Sequence, residues 1–220
     1  MRVALLPLLV FVCWVSLPGS ARAEFELSFY TGWQTSPHSN VSGSDPGGVG
    51  DFDFTAAWEG RSFEAPPHYG LRGVWWRNGG VYGYGLDFNH VKVYADDATL
   101  ADNGFDRLEM TDGLNIVTIN VMRRFPGQTR RWTPYLGAGV GVAVPHVDVE
   151  TSGGKTFGYQ LTGPAVSWVA GVTYGLTESW SLYGEYKGTY SQNNADLDNG
   201  GSLDTNIVTN AVNVGVSFNF

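Results

Sequence analysis

The last fourteen residues, 207–220, constrain the fold more than any other stretch of the chain. From Val208 onward, apolar side chains occupy most even positions, and small or polar side chains occupy the odd positions. A period of two is that of a β-strand whose two faces meet different surroundings. The apolar set is Val208, Val212, Val214, Val216, Phe218 and Phe220, and the other set is Thr209, Ala211, Asn213, Gly215, Ser217 and Asn219.

This strand runs into the C-terminus and ends on an aromatic residue. A soluble sandwich would turn the apolar face inward, and a final strand that closes on an exposed Phe220 would be unusual there. In a barrel of the outer membrane the apolar face meets lipid and the small polar face fills a narrow lumen. A terminal Phe after such a strand resembles the C-terminal signature of bacterial outer-membrane proteins. We therefore predict an all-β fold, an eight-stranded antiparallel transmembrane β-barrel.

The first 23 residues have the pattern of a cleaved secretory signal peptide. Arg2 precedes an apolar run over 3–17, and Ala21-Arg22-Ala23 forms a small-x-small cleavage site. The run is too short for a spanning helix with its flanks. We predict a signal peptide at 1–23 and a barrel domain at 24–220. Because Cys13 lies in the signal, the mature domain would contain no cysteine.

Seven further segments alternate in the same way and complete an even set of strands. They are predicted at 25–35, 68–77, 81–94, 108–124, 132–144, 159–174 and 180–192. The first connection, 36–67, is long, and its aromatic residues could form a short hairpin above the membrane. Short turns at 78–80, 125–131 and 175–179 would face the periplasm, and long connections would face outside. Side chains fill the interior of an eight-stranded barrel, so we expect no conduction.

Composition excludes several classes of function. Without Arg2 and Arg22, 11 basic residues stand against 21 acidic ones, a formal charge of −10, so nucleic acid is not an expected partner. The run Gly137-Ala-Gly-Val-Gly141 lies inside a predicted strand and opens no helix, so it does not indicate a dinucleotide loop. We expect a monomer in the bacterial outer membrane.

Several motifs resemble those of the OmpA-like and opacity-type outer-membrane barrels. They are Thr133-Pro-Tyr-Leu-Gly-Ala-Gly-Val-Gly141, Trp180-Ser-Leu-Tyr-Gly-Glu-Tyr186 and the closing Gly-Val-Ser-Phe-Asn-Phe. The resemblance covers nearly all of the mature chain and implies the fold. It does not specify a function, because those barrels include adhesins, structural proteins and enzymes.

Other segments, which a generic barrel does not require, are similar to those of rhizobial-type lipid A oxidases. They are Gly32–Ser39, Trp58–Glu64, Thr111–Thr118, Tyr159–Ala165 and Asp204–Ala211. The resemblance implies an outer-membrane oxidoreductase that converts the proximal glucosamine of lipid A to 2-aminogluconate with dioxygen. It transfers no catalytic residue. We expect lipopolysaccharide as the partner and, in a chain without cysteine or a dinucleotide motif, a divalent or redox metal ion as the cofactor.

All four histidines lie at the predicted outer ends of strands, where imidazole could bind metal or act as acid and base. His38, His68 and His90 belong to consecutive strands, so we predict that they form the catalytic group, and His146 could reach it across the lumen. The predicted metal ligands are His38, His68, His90, Asp87 and His146. The alternative is that histidine is simply tolerated on a polar rim.

Charged residues divide into three further sets. The polar faces of the strands should point into the lumen, where we expect their side chains to pair with one another. These side chains are Arg72, Asp87, Asn120, Tyr135, Glu185 and Lys187. The few cations placed to meet lipid A phosphates are Arg61, Lys92, Arg107 and Lys155. The acidic outer loops suit Ca²⁺ or Mg²⁺, but they show no EF-hand spacing, so a solvated anionic surface is the default.

Two other functions remain open. A lipid A deacylase would need a serine that an adjacent histidine activates, and His146-Val-Asp148 has no serine at that spacing. A non-enzymatic surface barrel, structural or adhesive, would tolerate replacement of His38, His68 and His90 without biochemical consequence.

Overall fold

The computed structural model describes residues 24–77, 80–127 and 131–220. The predicted signal peptide therefore lies outside the described residues, as do parts of the predicted turns at 78–80 and 125–131. Within the described part of the chain, no helix is long and apolar enough to cross a membrane.

Twelve strands and one short helix follow one another along the described part of the chain. They are β1 Glu24–Thr35, β2 Ser39–Asp45, β3 Gly50–Ala56, β4 Trp58–Glu59, β5 Tyr69–Trp76, β6 Tyr82–Ala95, α1 Asp97–Asn103, β7 Phe105–Arg124, β8 Trp132–Thr151, β9 Gly154–Tyr159, β10 Gly163–Gly175, β11 Trp180–Asp196 and β12 Ser202–Asn219.

Eight of these strands close into an antiparallel ring, which confirms the predicted fold. The order is β1-β5-β6-β7-β8-β10-β11-β12, and β12 pairs again with β1 over Glu26↔Asn219 to Thr35↔Asn210. The other four strands extend the wall at the end that carries the long connections, here called the upper end. There β2 pairs with β12 and β3, β4 pairs with β6, and β9 pairs with β8.

The predicted strand boundaries were wrong mainly at the upper end. The strand predicted to end at Val144 continues to Thr151 and pairs with β9, so the predicted loop at 145–158 is a β-hairpin. Tyr159, the predicted start of the sixth strand, ends β9, and β10 begins at Gly163. Backbone pairing with a new partner keeps these residues extended above the ring. The first connection does contain a hairpin, formed by β2 and β3. Of the aromatic residues predicted to form it, Phe52 and Phe54 lie in β3, whereas Trp58 lies in β4 and Phe63 in a turn.

The lower zone is the part of the barrel around the buried polar side chains of the predicted lumen set. Here the alternation predicted from the sequence is confirmed. On β12, Val212 and Val214 point outward and are 61% and 64% exposed, whereas Asn213 and Ser217 point inward and are buried. Aromatic side chains such as Trp75, Trp132 and Trp180 lie exposed on the outside, as expected of a lipid-facing girdle.

The upper zone is the part around a separate apolar core. Its interior is filled by buried side chains from the ring strands and from the β2–β3 hairpin. Phe105, for example, contacts Phe52 and Phe54 with ring centroids 5.3 and 5.6 Å away. Because the inward face is apolar here, the outward face carries the polar side chains. The core is Val41, Ala56, Trp58, Val91, Val93, Ala95, Phe105, Leu108, Met110, Leu114, Ile116, Ala143, Val147, Val149, Ala165, Ala195, Leu197, Leu203 and Ile207.

Candidate functional site on the outer wall

The lumen of the lower zone holds a paired ionic network, as predicted. The Arg72 guanidinium lies 2.6 Å from the Glu185 carboxylate, and Lys187 Nζ donates to Asp87 at 2.5 Å. Tyr30 donates to Asp87 at 2.9 Å, and Tyr135 donates to Glu185. Buried charges need such partners. The Asp87 carboxylate, a predicted metal ligand, is thus already held by a lysine and a tyrosine.

The three histidines predicted to form one catalytic group occupy three different surroundings. His38 is exposed between β1 and β2, and His68 is fully buried in the lumen, where its Nε2 lies 3.0 Å from Asn213 Oδ1. His90 points outward from β6, as Tyr84 and Leu86 do. Its ring stacks on that of Tyr69, with the two ring centroids 5.0 Å apart. His68 Nδ1 contacts the backbone oxygen of His90 at 2.9 Å, but the structure does not bring the three rings together. Their catalytic role stays a prediction.

His146 also points outward rather than across the lumen. Its neighbours Pro145 and Val147 fill the inward positions of β8, so strand alternation sends the imidazole to the outer face. There the ring packs edge-on against Phe157 and Tyr159, with centroids 4.3 and 4.6 Å away. The expectation that His146 reaches the other histidines through the lumen was wrong for this reason.

A carboxylate lies beside His146 on this face. The His146 Nε2 lies 3.9 Å from Asp112 Oδ2, and half of the Asp112 side chain is exposed. The buried Nδ1 of His146 and the buried Nε2 of His90 have no hydrogen-bond partner among the described residues. An imidazole beside a carboxylate is a pair that can accept and return a proton.

The four cations predicted to meet phosphate lie on the same outer face. The sheet register aligns Tyr94 with Glu109, and Glu109 with Asp148. Arg61 and Lys92 lie over the Tyr94 ring, at 4.8 and 5.0 Å from its centroid. We call this surface the outer-wall patch, and it consists of Arg61, Lys92, Arg107, Lys155, His90, Asp112, His146 and Asp148.

Carboxylates already pair with the exposed cations of the patch. Arg61 lies 2.9 Å from Glu59, Arg107 lies 3.0 Å from Glu109, and Lys155 lies 3.2 Å from Asp148. The hydrogen bond with Asp148 raises the pKa of Lys155, so that ammonium is charged at neutral pH. The side chains of Arg61, Arg107 and Lys155 keep 34%, 46% and 41% of their surface exposed. They retain donors for a further anion.

Lys92 differs from the other three cations because it is fully buried. Its Nζ donates to the backbone oxygen of Glu64, in the first connection, at 3.4 Å. Of the four predicted phosphate ligands, Lys92 is therefore the one that the folded chain covers.

The described residues offer no preformed metal centre. Within 24–77, 80–127 and 131–220, no three or more His, Cys, Asp or Glu side chains are grouped closely enough to hold an ion. The residues as placed do not fit the expected metal, and no chemical step is derived through it. The predicted metal roles of His38, His68, His90, Asp87 and His146 stay predictions.

The sequence interpretation missed the outer wall as a site because it ended the fifth strand at Val144. The alternation in fact continues past that residue, with Val147 and Val149 inward and His146, Asp148 and Glu150 outward. That continued alternation is the signal that could have placed His146 and Asp148 outside.

Comparison with known proteins supports the same fold. The structure of Neisserial surface protein A superposes with a TM-score of 0.51 at 15% identity, over 89% of this chain and 97% of that one. The outer membrane protein AlkL, determined in DMPC bilayers, gives 0.53 at 14% identity, over 96% and 97%. No curated protein sequence matches the chain significantly. The family model described as outer membrane protein beta-barrel domain matches residues 7–220, so the chain belongs to that family of bacterial outer-membrane barrels.

Proposed function

We propose that this barrel is an outer-membrane enzyme that oxidises the proximal glucosamine of lipid A to 2-aminogluconate, with dioxygen as the electron acceptor. The observation that carries the proposal is the outer-wall patch, in which the His146–Asp112 pair shares the outer face of the barrel with exposed cations. Lys155, for example, lies 5.0 Å from the centroid of the Phe157 ring that packs on His146. The resemblance of five segments to lipid A oxidases supplies the reaction.

The position of the patch supports a membrane lipid as substrate. Directly below it, the outer faces of β6, β7 and β8 carry apolar side chains such as Phe88, Val117 and Val142. Such a face meets acyl chains, so the next residues upward meet the headgroup. A lipid embedded in the outer leaflet would reach the patch laterally, without entering the lumen.

The exposed cations support recognition of phosphate. Arg107 and Lys155 flank the Asp148 carboxylate at 3.7 and 3.2 Å, and both face solvent. A phosphate would add charge-assisted hydrogen bonds to the donors that these side chains still have free. The neighbouring carboxylates repel a phosphate, so bound lipid A needs the cations in their charged forms.

The proposed reaction balances as a two-electron oxidation. The hemiacetal carbon of a glucosamine with a free anomeric hydroxyl loses two electrons and two protons to dioxygen, which gives a lactone and hydrogen peroxide. Water then opens the lactone to the acid, so the sugar gains one oxygen. In this proposal His146 accepts the anomeric hydroxyl proton, and Asp112 stabilises the imidazolium that forms. The imidazolium then returns this proton to the reduced dioxygen, which leaves as hydrogen peroxide.

Mass spectrometry of lipid A tests the proposal directly. Cells with the gene should contain lipid A about 16 mass units heavier than cells without it, because one oxygen is gained in the oxidation. The shift should require air. Lipid A of unchanged mass in cells that contain the folded protein would overturn the oxidase proposal.

Two matched variants locate the chemistry. His146→Gln keeps a polar side chain on the outer wall and should abolish the mass shift, whereas His38→Gln alters an exposed histidine away from the patch and should retain it. Loss of the shift in His38→Gln alone would instead support the site predicted from the loop histidines. Circular dichroism of each purified variant checks that the barrel has formed.

A second candidate function is a non-enzymatic surface barrel. The observation that favours it is that each exposed cation of the patch already pairs with a carboxylate. Lipid A of the same mass in cells with and without the wild-type gene, together with loss of surface binding or envelope integrity in the cells without it, would support this alternative.

A further inference from the structure

A second polar surface lies on the opposite side of the barrel from the outer-wall patch. It is a groove of about 350 Å³ on the outer faces of β11 and β12, near the upper end. Its floor consists of two cross-strand pairs, Gln192↔Asn206 and Asn194↔Asp204. Volumes of this order are typical of small-ligand sites.

The groove exists because the neighbours of β11 and β12 change at this level. The upper part of β12 leaves β1 and pairs with β2 through Thr205↔Val41, which places Asn40 along one rim. On the other side β10 begins only at Gly163, and the backbone oxygen of the preceding residue Thr162 accepts a hydrogen bond from the backbone N–H of Asn194 at 3.0 Å. The two rims therefore belong to the fold and not to a mobile side chain.

The lining of the groove contains few kinds of chemical group. Side-chain amides and hydroxyls dominate it, Asp204 is its one carboxylate, and no Lys, Arg or His contributes. An anion would find no cation there, and an apolar ligand would find only Pro164. Each carboxamide offers donors and acceptors side by side, which suits the neighbouring hydroxyl groups of a sugar.

Some side chains of the lining are held by hydrogen bonds within the protein, and others make none. Asn193 is fixed by Thr162 and Ser191, each at 2.9 Å. The side chains of Asn40 and Asn206 make no hydrogen bond to another described residue, and both are exposed. The Asn194 amide donates to the Asp204 carboxylate across the floor, which holds both side chains in place. A ligand would therefore meet the two free carboxamides of Asn40 and Asn206 on a held frame, which lowers the ordering cost of binding.

The groove also lies at a suitable height. Tyr190 lies two positions below Gln192 on the same face of β11, and its hydroxyl contacts the Gln192 amide at 3.4 Å. Tyr186 and Trp168 continue this aromatic surface downward. Aromatic belts mark the membrane interface, so the groove lies in the layer that holds saccharide headgroups.

From this geometry we infer that the groove formed by Asn40, Gln192, Asn194, Asp204 and Asn206 binds a neutral saccharide. The inference is independent of the proposed oxidase, because it concerns different residues and an uncharged ligand.

Titration with a neutral oligosaccharide tests the inference. The full mature chain, folded in lipid nanodiscs, is titrated with maltotriose while NMR follows the side-chain amide signals of asparagine. Saturable shifts of the Asn194 and Asn206 signals are expected. Asn206→Leu should weaken binding by roughly three- to tenfold, the loss expected for one or two hydrogen bonds. The control Asn103→Ala, which removes a carboxamide from α1, should leave binding unchanged.

Two further binding experiments identify the source of the ligand and test whether it is uncharged. A neutral glycolipid embedded in the nanodisc is compared with the free sugar, and preference for either one supports the site and identifies its source. Sulfated maltotriose should bind less well than the neutral sugar. Equal binding to the Asn206→Leu variant, preference for the sulfated sugar, or no saturable binding of any neutral saccharide would overturn the inference.

Discussion

The lower and upper zones are built from the same strands, yet their faces are reversed. On β12 the inward side chains are Asn213 and Ser217 in the lower zone but Leu203 and Ile207 in the upper zone. The strand keeps its period of two throughout, and only the chemistry of each face changes. The difference follows from the surroundings, because lipid favours an apolar exterior whereas water favours an apolar interior.

This reversal explains where the candidate sites lie. Below the boundary, the charged groups are inside the barrel and already paired with one another. Above it, polar side chains point outward, where a headgroup or a saccharide can reach them. The outer-wall patch and the saccharide groove both occupy this outward polar face, on opposite sides of the ring.

The largest expected effect comes from a substitution that disrupts the buried ionic network of the lower zone. Arg72→Met removes the cation that lies between Glu185 and Asp87, and it leaves a buried carboxylate without its main partner. We expect a loss of about 3–5 kcal/mol in the free energy of unfolding. Urea titration of the barrel in lipid vesicles, followed by tryptophan fluorescence, measures this loss. The double variant Arg72→Met/Glu185→Leu should recover part of it, and a loss below about 1 kcal/mol would contradict the role of the network.

A pair of substitutions on one strand sharpens the comparison between the zones. Leu203→Ala opens a cavity in the upper core and should cost about 2–5 kcal/mol. Val214→Ala removes methyl groups that face outward in the lower zone, where lipid fills the space, and should cost less than about 1 kcal/mol. The same urea titration compares the two variants. Equal losses of unfolding free energy in the two variants would contradict the view that apolar side chains pack inward in the upper zone and face outward in the lower zone.

The smallest effect concerns pH at the edge of the upper zone. Asp96 caps α1 by accepting hydrogen bonds from the Thr99 side chain and backbone, which lower the pKa of its carboxyl group. A lowered folded-state pKa means that the cap contributes stability above the usual pKa of about 4 and loses it as the pH falls further. The protection factor of the Leu100 amide, which is its exchange rate relative to that of an unstructured amide at the same pH, should therefore fall in acid. Asp96→Ala should remove this dependence, and the neighbouring Asp97→Asn should retain it.

Much of the barrel could be predicted from the chain because local alternation encodes it. Eight segments of period two, separated by short and long connections, specify the number of strands and the inward set of Arg72, Asp87, Glu185 and Lys187. The outward apolar face at the C-terminal strand was predicted correctly for the same reason. Each of these features depends only on which side of one strand a residue occupies.

The upper zone could be predicted less well because its partners are distant in sequence. The continuation of β8 to Thr151 depends on pairing with β9, and Val41 joins the core because β2 pairs with β12. When the pairing partner of an alternating segment is unknown, the sequence alone does not distinguish that segment from a loop. The placement of the histidines was hidden for a related reason. His68 points into the lumen and His90 points outward, and this difference depends on how the two segments pair.

The sequence by itself determined the strand period, the lipid-facing residues and the polar lumen, because these follow from the side-chain order along each strand. Only the tertiary structure decided that Arg61, Arg107, Lys155 and His146 share one outer surface. That surface depends on the register between strands, which brings Tyr94, Glu109 and Asp148 into one row. Register is set by backbone pairing between distant segments, so no local pattern reveals it.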